Sequence, residues 1–324
     1  MAQKPPFLEE ADARDRFQSV EAVVSEDQQR DEAADSRAVR YSQRLYAVLT
    51  YSSTHLALIA TTQALLAIVL LSLPLTLAPL IVGLTTFAVY ANDRLADVET
   101  DVIGKPNQST FVQRHQNGLY FLASLAYGLA VALSTLGGPI ALGITLLPGV
   151  FWILYASDWL PRINSQLQRL KNVLFVNTGL VATAWAVTLT FLPLQFADVP
   201  ATPLAGFVFA YFFIEVTICT EIPNVRDVDE DRAIGARTMP VVFGIDRTRQ
   251  LLYVLDLLVA AVVIYLLVEG YLSLVPAGAL LTGVAYSLGV TSLVGRAGRE
   301  RLLPVVADAR DVVVFLVLVA GSVV

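Results

Sequence analysis

Asn92-Asp93-Arg94-Leu95-Ala96-Asp97-Val98-Glu99-Thr100-Asp101 directly follows a long apolar run and carries aspartates at positions 93, 97 and 101. Side chains four residues apart lie on one face of a helix, so these three carboxylates would stack as like charges. Their repulsion costs free energy unless a cation binds beside them. The stretch therefore predicts a helix whose end forms a cation-binding face.

A second acidic cluster, Asn224-Val225-Arg226-Asp227-Val228-Asp229-Glu230-Asp231, follows a later apolar run. Asp227 and Asp231 are again four residues apart, and Asn224 precedes Asp227 by about one turn. Two such clusters, each at the end of an apolar segment, predict a divalent metal site that serves an anionic substrate.

The composition predicts an all-α, polytopic membrane protein. The chain has 324 residues, of which 56% are hydrophobic and 15% charged. Apolar segments near the ~20 residues that a bilayer requires recur along it. The sequence predicts about nine of them, near 46–72, 75–91, 118–135, 138–156, 172–192, 203–220, 249–268, 271–294 and 306–324. Residues 44–324 are thus predicted to form the transmembrane domain.

Residues 1–43 are predicted to form a polar cytoplasmic tail, because residues 1–40 hold ten of the 28 acidic groups and no long apolar run. Cys219 is the single cysteine, so no internal disulfide forms. His55 and His115 are far apart in sequence, which argues against a histidine metal site. Glu215 falls inside an apolar segment, where a carboxylate is costly, so it either faces a cavity or lies near a helix end.

Charge in the loops predicts the orientation in the membrane. The turns around 72–75, 135–138, 193–203 and 268–271 contain no Lys or Arg, and all 22 basic residues fall on the other side. The positive-inside rule makes that side cytoplasmic. The amino terminus and both acidic clusters are therefore predicted inside, and the carboxyl terminus outside the cell membrane.

The two clusters predict chemistry on a diphosphate. Magnesium usually binds one or two carboxylates together with substrate phosphates. Nearby cationic groups would neutralise the remaining phosphate charge. The candidates are Arg94, Lys105, Arg162, Arg169, Lys171 and Arg226. Metal and cations together would stabilise a departing diphosphate while the apolar bundle holds a hydrophobic chain.

At these residues the sequence resembles the UbiA-type intramembrane prenyltransferases. Members of that family carry an Asn-Asp-x-x-Asp-x-x-x-Asp motif, to which Asn92, Asp93, Asp97 and Asp101 correspond. Their second motif is often Asp-x-x-x-Asp in a run ending Gly-x-x-Thr. Here Asp227 and Asp231 precede Gly235-Ala-Arg-Thr238, which is similar. The resemblance covers roughly residues 44–324.

The resemblance implies a UbiA-like helical bundle with a central cavity open to the cytoplasm. It implies magnesium-dependent transfer of a prenyl group from a polyprenyl diphosphate to a hydrophobic or aromatic acceptor within the bilayer. The implied catalytic residues are Asp97, Asp101 and Asp231. The implied metal ligands are Asn92, Asp93, Asp97, Asp101, Asn224, Asp227 and Asp231. The loop before the fifth helix would add Tyr155, Arg162, Arg169 and Lys171 to the diphosphate site.

The acceptor stays open among a quinone-precursor ring, a glycerol ether lipid, a tetrapyrrole and a carotenoid. Many family members read Lys-Pro-x-Arg-Pro after the first motif, whereas this chain reads Lys105-Pro106-Asn107-Gln108-Ser109. Two other classes also fit acidic residues in a membrane protein. A CDP-alcohol phosphatidyltransferase would carry Asp-Gly-x-x-Ala-Arg, which the sequence lacks. A divalent-cation transporter would use the same carboxylates, although transporters place such sites near the bilayer midplane.

Overall fold

An apolar segment in lipid folds as an α-helix because its backbone amides must be satisfied internally. The computed structural model describes residues 41–42, 44–99, 105–156, 176–296 and 302–323. Within these residues the regular elements are helices, without a β-strand, and the predicted all-α class is confirmed. The elements are α1 (Thr54–Leu70), α2 (Ala78–Ala96), α3 (Pro106–Ser134), a 3₁₀ turn (Thr135–Gly137), α4 (Gly138–Ala156), α5 (Val176–Ala197), α6 (Pro203–Arg226), α7 (Val228–Ile234), α8 (Met239–Phe243), α9 (Ile245–Val268), α10 (Leu274–Thr291), α11 (Leu303–Asp308) and α12 (Arg310–Val323).

The chain divides into two units, Met1–Tyr51 and Ser52–Val324. In the first unit, residues 41–42 and 44–51 are helical. Apart from residues 41 and 42, the predicted acidic tail lies outside the described residues, so its boundary stays a prediction. Helices α1 to α12 all belong to the second unit.

Each predicted apolar segment overlaps one of the long helices. Five stretches of the described chain are long and apolar enough to cross a bilayer: Pro106–Ile153, Thr178–Ala197, Pro203–Arg226, Ile245–Val268 and Leu274–Thr291. The first has 48 residues, more than twice the ~20 that one crossing needs, and includes the turn between α3 and α4. The number of nine spans and the central cavity stay predictions.

Helix α3 contains a kink that separates two kinds of sequence. It begins with Pro106 at its first position, where proline loses no helical hydrogen bond. At His115 the backbone leaves helical geometry (φ −113°, ψ 15°). The segment before the kink is mostly polar, but its Val112 and Phe111 belong to a small apolar cluster with Leu95 at the end of α2. The apolar predicted segment begins after the kink.

Glycines allow close approach where neighbouring helices cross. A Cβ added at Gly83 of α2 would collide with the hydroxyl of Thr61 in α1. A Cβ at Gly283 of α10 would collide in the same way with Val314 of α12. These contacts fix the spacing of α1 against α2 and of α10 against α12. The core that they help to close includes Leu66, Ile81, Leu189, Phe212, Leu280 and Leu318.

Arg310, at the start of α12, is the centre of a charged cluster inside the second unit. Its guanidinium contacts the carboxylate of Glu215, and both side chains are only 2% exposed. Its Nη1 lies 3.7 Å from Oδ1 of the fully buried Asp256, and the guanidinium stacks 5.4 Å above the ring of Tyr211. Glu215 therefore lies in the middle of α6 and not at a helix end, and it is half of a buried ion pair.

Neutral donors complete this cluster, which we call the Arg310 network. The carboxylate of Asp311 accepts hydrogen bonds from the Tyr211 hydroxyl at 2.6 Å and from Gln63 Nε2 at 2.7 Å. Asp256 accepts from Ser287 Oγ at 2.9 Å. The network joins α1, α6, α9, α10 and α12. Because a buried charge is costly without a partner of opposite charge, these contacts tie the helices to one another.

Candidate metal and diphosphate site

The first acidic cluster lies at the end of α2. Asn92 and Asp93 occupy its last turn and are partly buried. Asp97 is the residue that ends the helix, with its N–H donating to the Asp93 carbonyl at 3.0 Å, and it is exposed. The sequence correctly places these residues at a helix end. Asp101 lies outside the described residues, and its place in the cluster stays a prediction.

Two hydrogen bonds orient the first cluster. Trp152 of α4 donates its indole N–H to Asp93 Oδ1 at 3.2 Å. Asn92 donates its amide nitrogen to the Ala88 carbonyl at 2.8 Å. Because the nitrogen is bound to its own helix, the amide oxygen of Asn92 is the atom left to act as a ligand. Sequence reasoning missed Trp152, since its partner lies 59 residues away.

Cationic side chains lie beside this cluster. Arg94 donates from Nη1 to Gln108 Oε1 at 3.1 Å. Burial raises the pKa of Asp93 to about 6, the charge of Asp97 raises it further, and the cations Arg94 and Lys105 oppose the shift. Many family members have an arginine at the position of Gln108. In this chain Gln108 instead accepts a hydrogen bond from Arg94 of the first motif. A further bond, from Ser109 Oγ to the Val98 carbonyl at 2.7 Å, ties α3 to the end of α2.

Asp308, the last residue of α11, is a carboxylate near the first cluster that the sequence analysis did not consider. Its carboxylate interacts electrostatically with Arg94 and with Tyr90, and Tyr90 also interacts with Asp93. Helix α11 is positioned by apolar packing, since its Leu303 and Ala307 belong to one buried cluster with Ile222 of α6. Asp308 lies within the predicted apolar segment 306–324. Carboxylates are rare in membrane-spanning segments, so its position in the sequence could have indicated a functional role.

The second acidic cluster spans the junction of α6 and α7. Asp227 ends α6, and both of its carboxylate oxygens accept from the preceding Arg226, from Nε at 2.5 Å and from Nη2 at 2.6 Å. Asp229, in contrast, is exposed and pairs with Arg232 at 2.9 Å. Arg226 is therefore positioned by an aspartate of the cluster, and its contact with a phosphate stays a prediction.

Asp231 is held by the turn that follows α7. Thr238 donates its hydroxyl to Asp231 Oδ2 at 3.0 Å. Burial raises the pKa of the Asp231 carboxyl, and the nearby charges of Asp227 and Glu230 raise it further, while the Thr238 hydrogen bond opposes the shift. The group therefore holds its proton to a higher pH than an exposed aspartate does.

Glu221, one turn before Asn224 in α6, is a second residue that the sequence analysis missed. It is 1% exposed. It accepts hydrogen bonds from Thr178 Oγ1 at 2.6 Å, from Asn224 Nδ2 at 3.1 Å and from the Met239 N–H at 3.3 Å. Glu221 directly follows the predicted apolar segment 203–220. At such a position the sequence does not distinguish a buried carboxylate from a solvated one.

Contacts between helices place several helix ends together. The bond from Trp152 to Asp93 joins the ends of α2 and α4, and the bond from Thr178 to Glu221 joins the start of α5 to the end of α6. Among the described residues, no three His, Cys, Asp or Glu side chains converge on one metal position. The predicted metal site of the two acidic clusters therefore stays a prediction.

The remaining predicted site residues lie mostly outside the described part of the chain. Arg162, Arg169 and Lys171 fall within 157–175. Tyr155 is in α4, but its side chain is not among those described. The structure thus brings Arg94 and Lys105 to the first cluster, and the roles of the other cationic residues stay predictions.

These helices and acidic helix ends define a multi-pass membrane protein of the all-α class. The model of the UbiA prenyltransferase family matches residues 56–319, and the chain belongs to that family. A comparison with curated proteins finds no match.

Solved structures with a similar fold include archaeal UbiA homologues. An apo homologue from Aeropyrum pernix K1 is 13% identical, with a TM-score of 0.62, over 83% of this chain and 98% of that one. A homologue from Archaeoglobus fulgidus bound to GPP and Mg²⁺ is 13% identical, with a TM-score of 0.58, over 84% and 99%. A structure described for digeranylgeranylglyceryl phosphate synthase is 13% identical, with a TM-score of 0.56, over 87% and 99%. At this identity the likeness is one of fold.

The first motif of this chain differs from the family motif in the spacing of its first two aspartates. The string has two residues between its first and second aspartates, whereas three residues, Arg94-Leu95-Ala96, separate Asp93 from Asp97. The match at Asn92, Asp93, Asp97 and Asp101 is therefore not complete. The extra residue puts Asp93 and Asp97 on one helix face, four apart.

Proposed function

We propose that this protein transfers a prenyl group from a polyprenyl diphosphate to a hydrophobic or aromatic acceptor within the cell membrane, using Mg²⁺. The observation that carries the proposal is the pair of acidic helix ends, each supplied with an amide oxygen. Membership of the UbiA prenyltransferase family supports the reaction class. The GPP and Mg²⁺ bound by the similar Archaeoglobus fulgidus homologue support the donor and the metal.

The donor atoms suit magnesium. Each cluster offers hard oxygen ligands, which Mg²⁺ prefers, and lacks sulfur or imidazole in its sequence. The absence of three converging carboxylates in the described chain fits an ion that also takes substrate phosphate oxygens. Asn92, Asp93 and Asp97 would hold metal at the first cluster, and Asn224, Asp227 and Asp231 at the second. Bound magnesium neutralises charge on the departing diphosphate.

The protein's own cations would complete the diphosphate site. Arg94 is partly buried and oriented by Gln108, so its guanidinium loses little side-chain freedom on binding phosphate. Lys105 lies beside the same cluster. The rings of Tyr90, two residues before Asn92, and Trp185 stack with their centroids 5.8 Å apart, and they would exclude water from that side of the cluster. An allylic cation formed there would be shielded from hydrolysis.

A direct assay tests the reaction. Purified protein is incubated with labelled geranylgeranyl diphosphate, Mg²⁺ and one acceptor of each class: a quinone-precursor ring, a glycerol ether lipid, a tetrapyrrole and a carotenoid. We expect magnesium-dependent diphosphate release together with a labelled product from one class. Absence of magnesium-dependent release with every acceptor would contradict the proposal. Metal flux into proteoliposomes, unaffected by prenyl diphosphate, would instead support a transporter.

We also propose that the acidic clusters face the cytoplasm. Loop charge supports this orientation. In a Cys219→Ser background, a cysteine at Arg232→Cys should react with an impermeant maleimide only after the membrane is opened. A cysteine at Ala201→Cys, in the opposite loop, should react in intact cells. The reverse labelling pattern would overturn the orientation.

A further inference from the structure

We propose that Glu221 is a positioning residue that orients two metal ligands of the second cluster, Asn224 and Asp231. This inference rests on the proposed function, because it assigns a role within that metal site. Glu221 makes hydrogen bonds with both carboxylate oxygens, and its three donors come from α5, α6 and α8. A side chain that is 1% exposed and bonded to three elements has one conformation.

The first consequence concerns the amide of Asn224. An ionised carboxylate can only accept hydrogen bonds, so the group that faces Glu221 Oε2 at 3.1 Å must be the amide nitrogen. The amide oxygen of Asn224 is then directed away from Glu221, as a ligand atom. Without Glu221, the amide of Asn224 could rotate so that its nitrogen, which is not a magnesium ligand, faced the metal in place of its oxygen.

The second consequence concerns Asp231, through the turn that follows α7. Oε2 of Glu221 also accepts the Met239 N–H at 3.3 Å, at the first residue of α8. The preceding residue, Thr238, donates its hydroxyl to Asp231 at 3.0 Å. Glu221 therefore fixes the peptide group between Thr238 and Met239, and the Thr238 side chain in turn binds Asp231. One buried carboxylate thus supports a ligand on α6 directly and a ligand on α7 through a single intervening residue.

Thr178 fixes the opposite side of Glu221. Its hydroxyl donates to Oε1 at 2.6 Å from the first turn of α5 and is itself buried. Outer residues that orient metal ligands change metal affinity about 10- to 100-fold when they are replaced. We expect the same scale here, without a direct contact between Glu221 and metal.

Glu221→Met tests the role, because it keeps about the size of the side chain and removes both oxygens that accept these hydrogen bonds. The measurement is Mn²⁺ binding, followed by electron paramagnetic resonance in the presence of inorganic diphosphate, together with the thermal unfolding midpoint. We expect affinity for Mn²⁺ to fall about tenfold. The Mg²⁺ concentration for half-maximal turnover should rise equally, with kcat at saturating Mg²⁺ reduced less than about threefold.

Asp229→Asn is the matched control, since it also removes one negative charge but from an exposed residue paired with Arg232. It should leave Mn²⁺ affinity unchanged. If Glu221→Met does not fold, Thr238→Val takes its place, because it breaks only the final bond to Asp231. An affinity within twofold of wild type for a folded Glu221→Met, or else for Thr238→Val, would overturn the role. If the wild-type protein bound no Mn²⁺ with diphosphate, the proposed function itself would fail.

Discussion

The carboxylates of the Arg310 network and those of the two acidic clusters are the same chemical group in opposite settings. In the network, Glu215, Asp256 and Asp311 come from three different helices and are bonded by donors from others. In the clusters, aspartates follow one another at four-residue spacing and remain partly or fully exposed. The first set is held by one arginine and by neutral donors within the protein. The second is arranged so that neighbouring like charges favour an added cation.

The difference teaches how to separate a structural carboxylate from a functional one. A buried carboxylate that has partners from several helices contributes to folding, because removing one partner leaves an unpaired charge. A carboxylate near others at an exposed helix end costs the fold little when it is removed. Substitutions in the two sets should therefore affect different measurements.

The largest effect is expected from Asp97→Ala and Asp231→Ala. Each removes a proposed ligand, so turnover should be abolished and metal affinity should fall at least about tenfold. The thermal unfolding midpoint should stay near that of wild type, because neither residue belongs to the Arg310 network. Turnover and unfolding measured on the same detergent-purified samples decide the matter. Retained activity in both variants would refute the two-cluster site.

Arg310→Met should give the reverse pattern. It leaves Glu215 and Asp256 buried without their cation, which costs about 3–5 kcal/mol of stability. The folded fraction should still bind Mn²⁺ with wild-type affinity. Unfolding in detergent, combined with Mn²⁺ titration below the midpoint, measures both quantities. Loss of metal affinity without loss of stability would mean that the network belongs to the site.

Trp152→Phe tests a residue that supports one ligand of the first cluster. It removes the N–H that bonds Asp93, a hydrogen bond to a charged group worth about 1.5–3 kcal/mol. Part of this is recovered by water, so Mn²⁺ affinity should fall about five- to tenfold. Trp185→Phe is the control, since Trp185 stacks on Tyr90 instead. Equal losses in both variants would assign the effect to packing.

The smallest effect concerns pH. The pKa of Asp231 is raised mainly by burial, so protons compete with metal at a higher pH than for an ordinary aspartate. Mn²⁺ affinity should therefore fall as the pH is lowered through that raised value. Thr238→Val removes a hydrogen bond that favours the ionised form, so its loss of affinity should begin at a higher pH. Identical pH profiles for the two proteins would contradict this account.

The sequence was sufficient for elements that depend on local pattern. Apolar runs placed the long helices, and the four-residue spacing placed Asp93, Asp97, Asp227 and Asp231 at helix ends. Helical periodicity can be recognised from neighbouring residues alone, so these helices could be predicted without knowing how they pack.

The partners of these residues could not be read in the same way. Glu221 bonds Thr178 from 43 residues away, and Gln63 bonds Asp311 from 248 residues away. Such pairs are set by how helices pack, which hydropathy does not specify. The sequence marked Glu215 as an unusual intramembrane carboxylate but gave no means of finding Arg310 as its partner.

The position of Arg310 in the chain has a consequence for how the protein is made. Synthesis proceeds from the amino terminus, so Glu215 and Asp256 are inserted before the residue that neutralises them. Until α12 arrives, two carboxylates lie in apolar helices without their cation, and Gln63 and Tyr211 lack their acceptor. Docking of α12 is therefore the step that gives these four earlier side chains their partners, and a chain stopped before Arg310 leaves them unpaired among apolar helices.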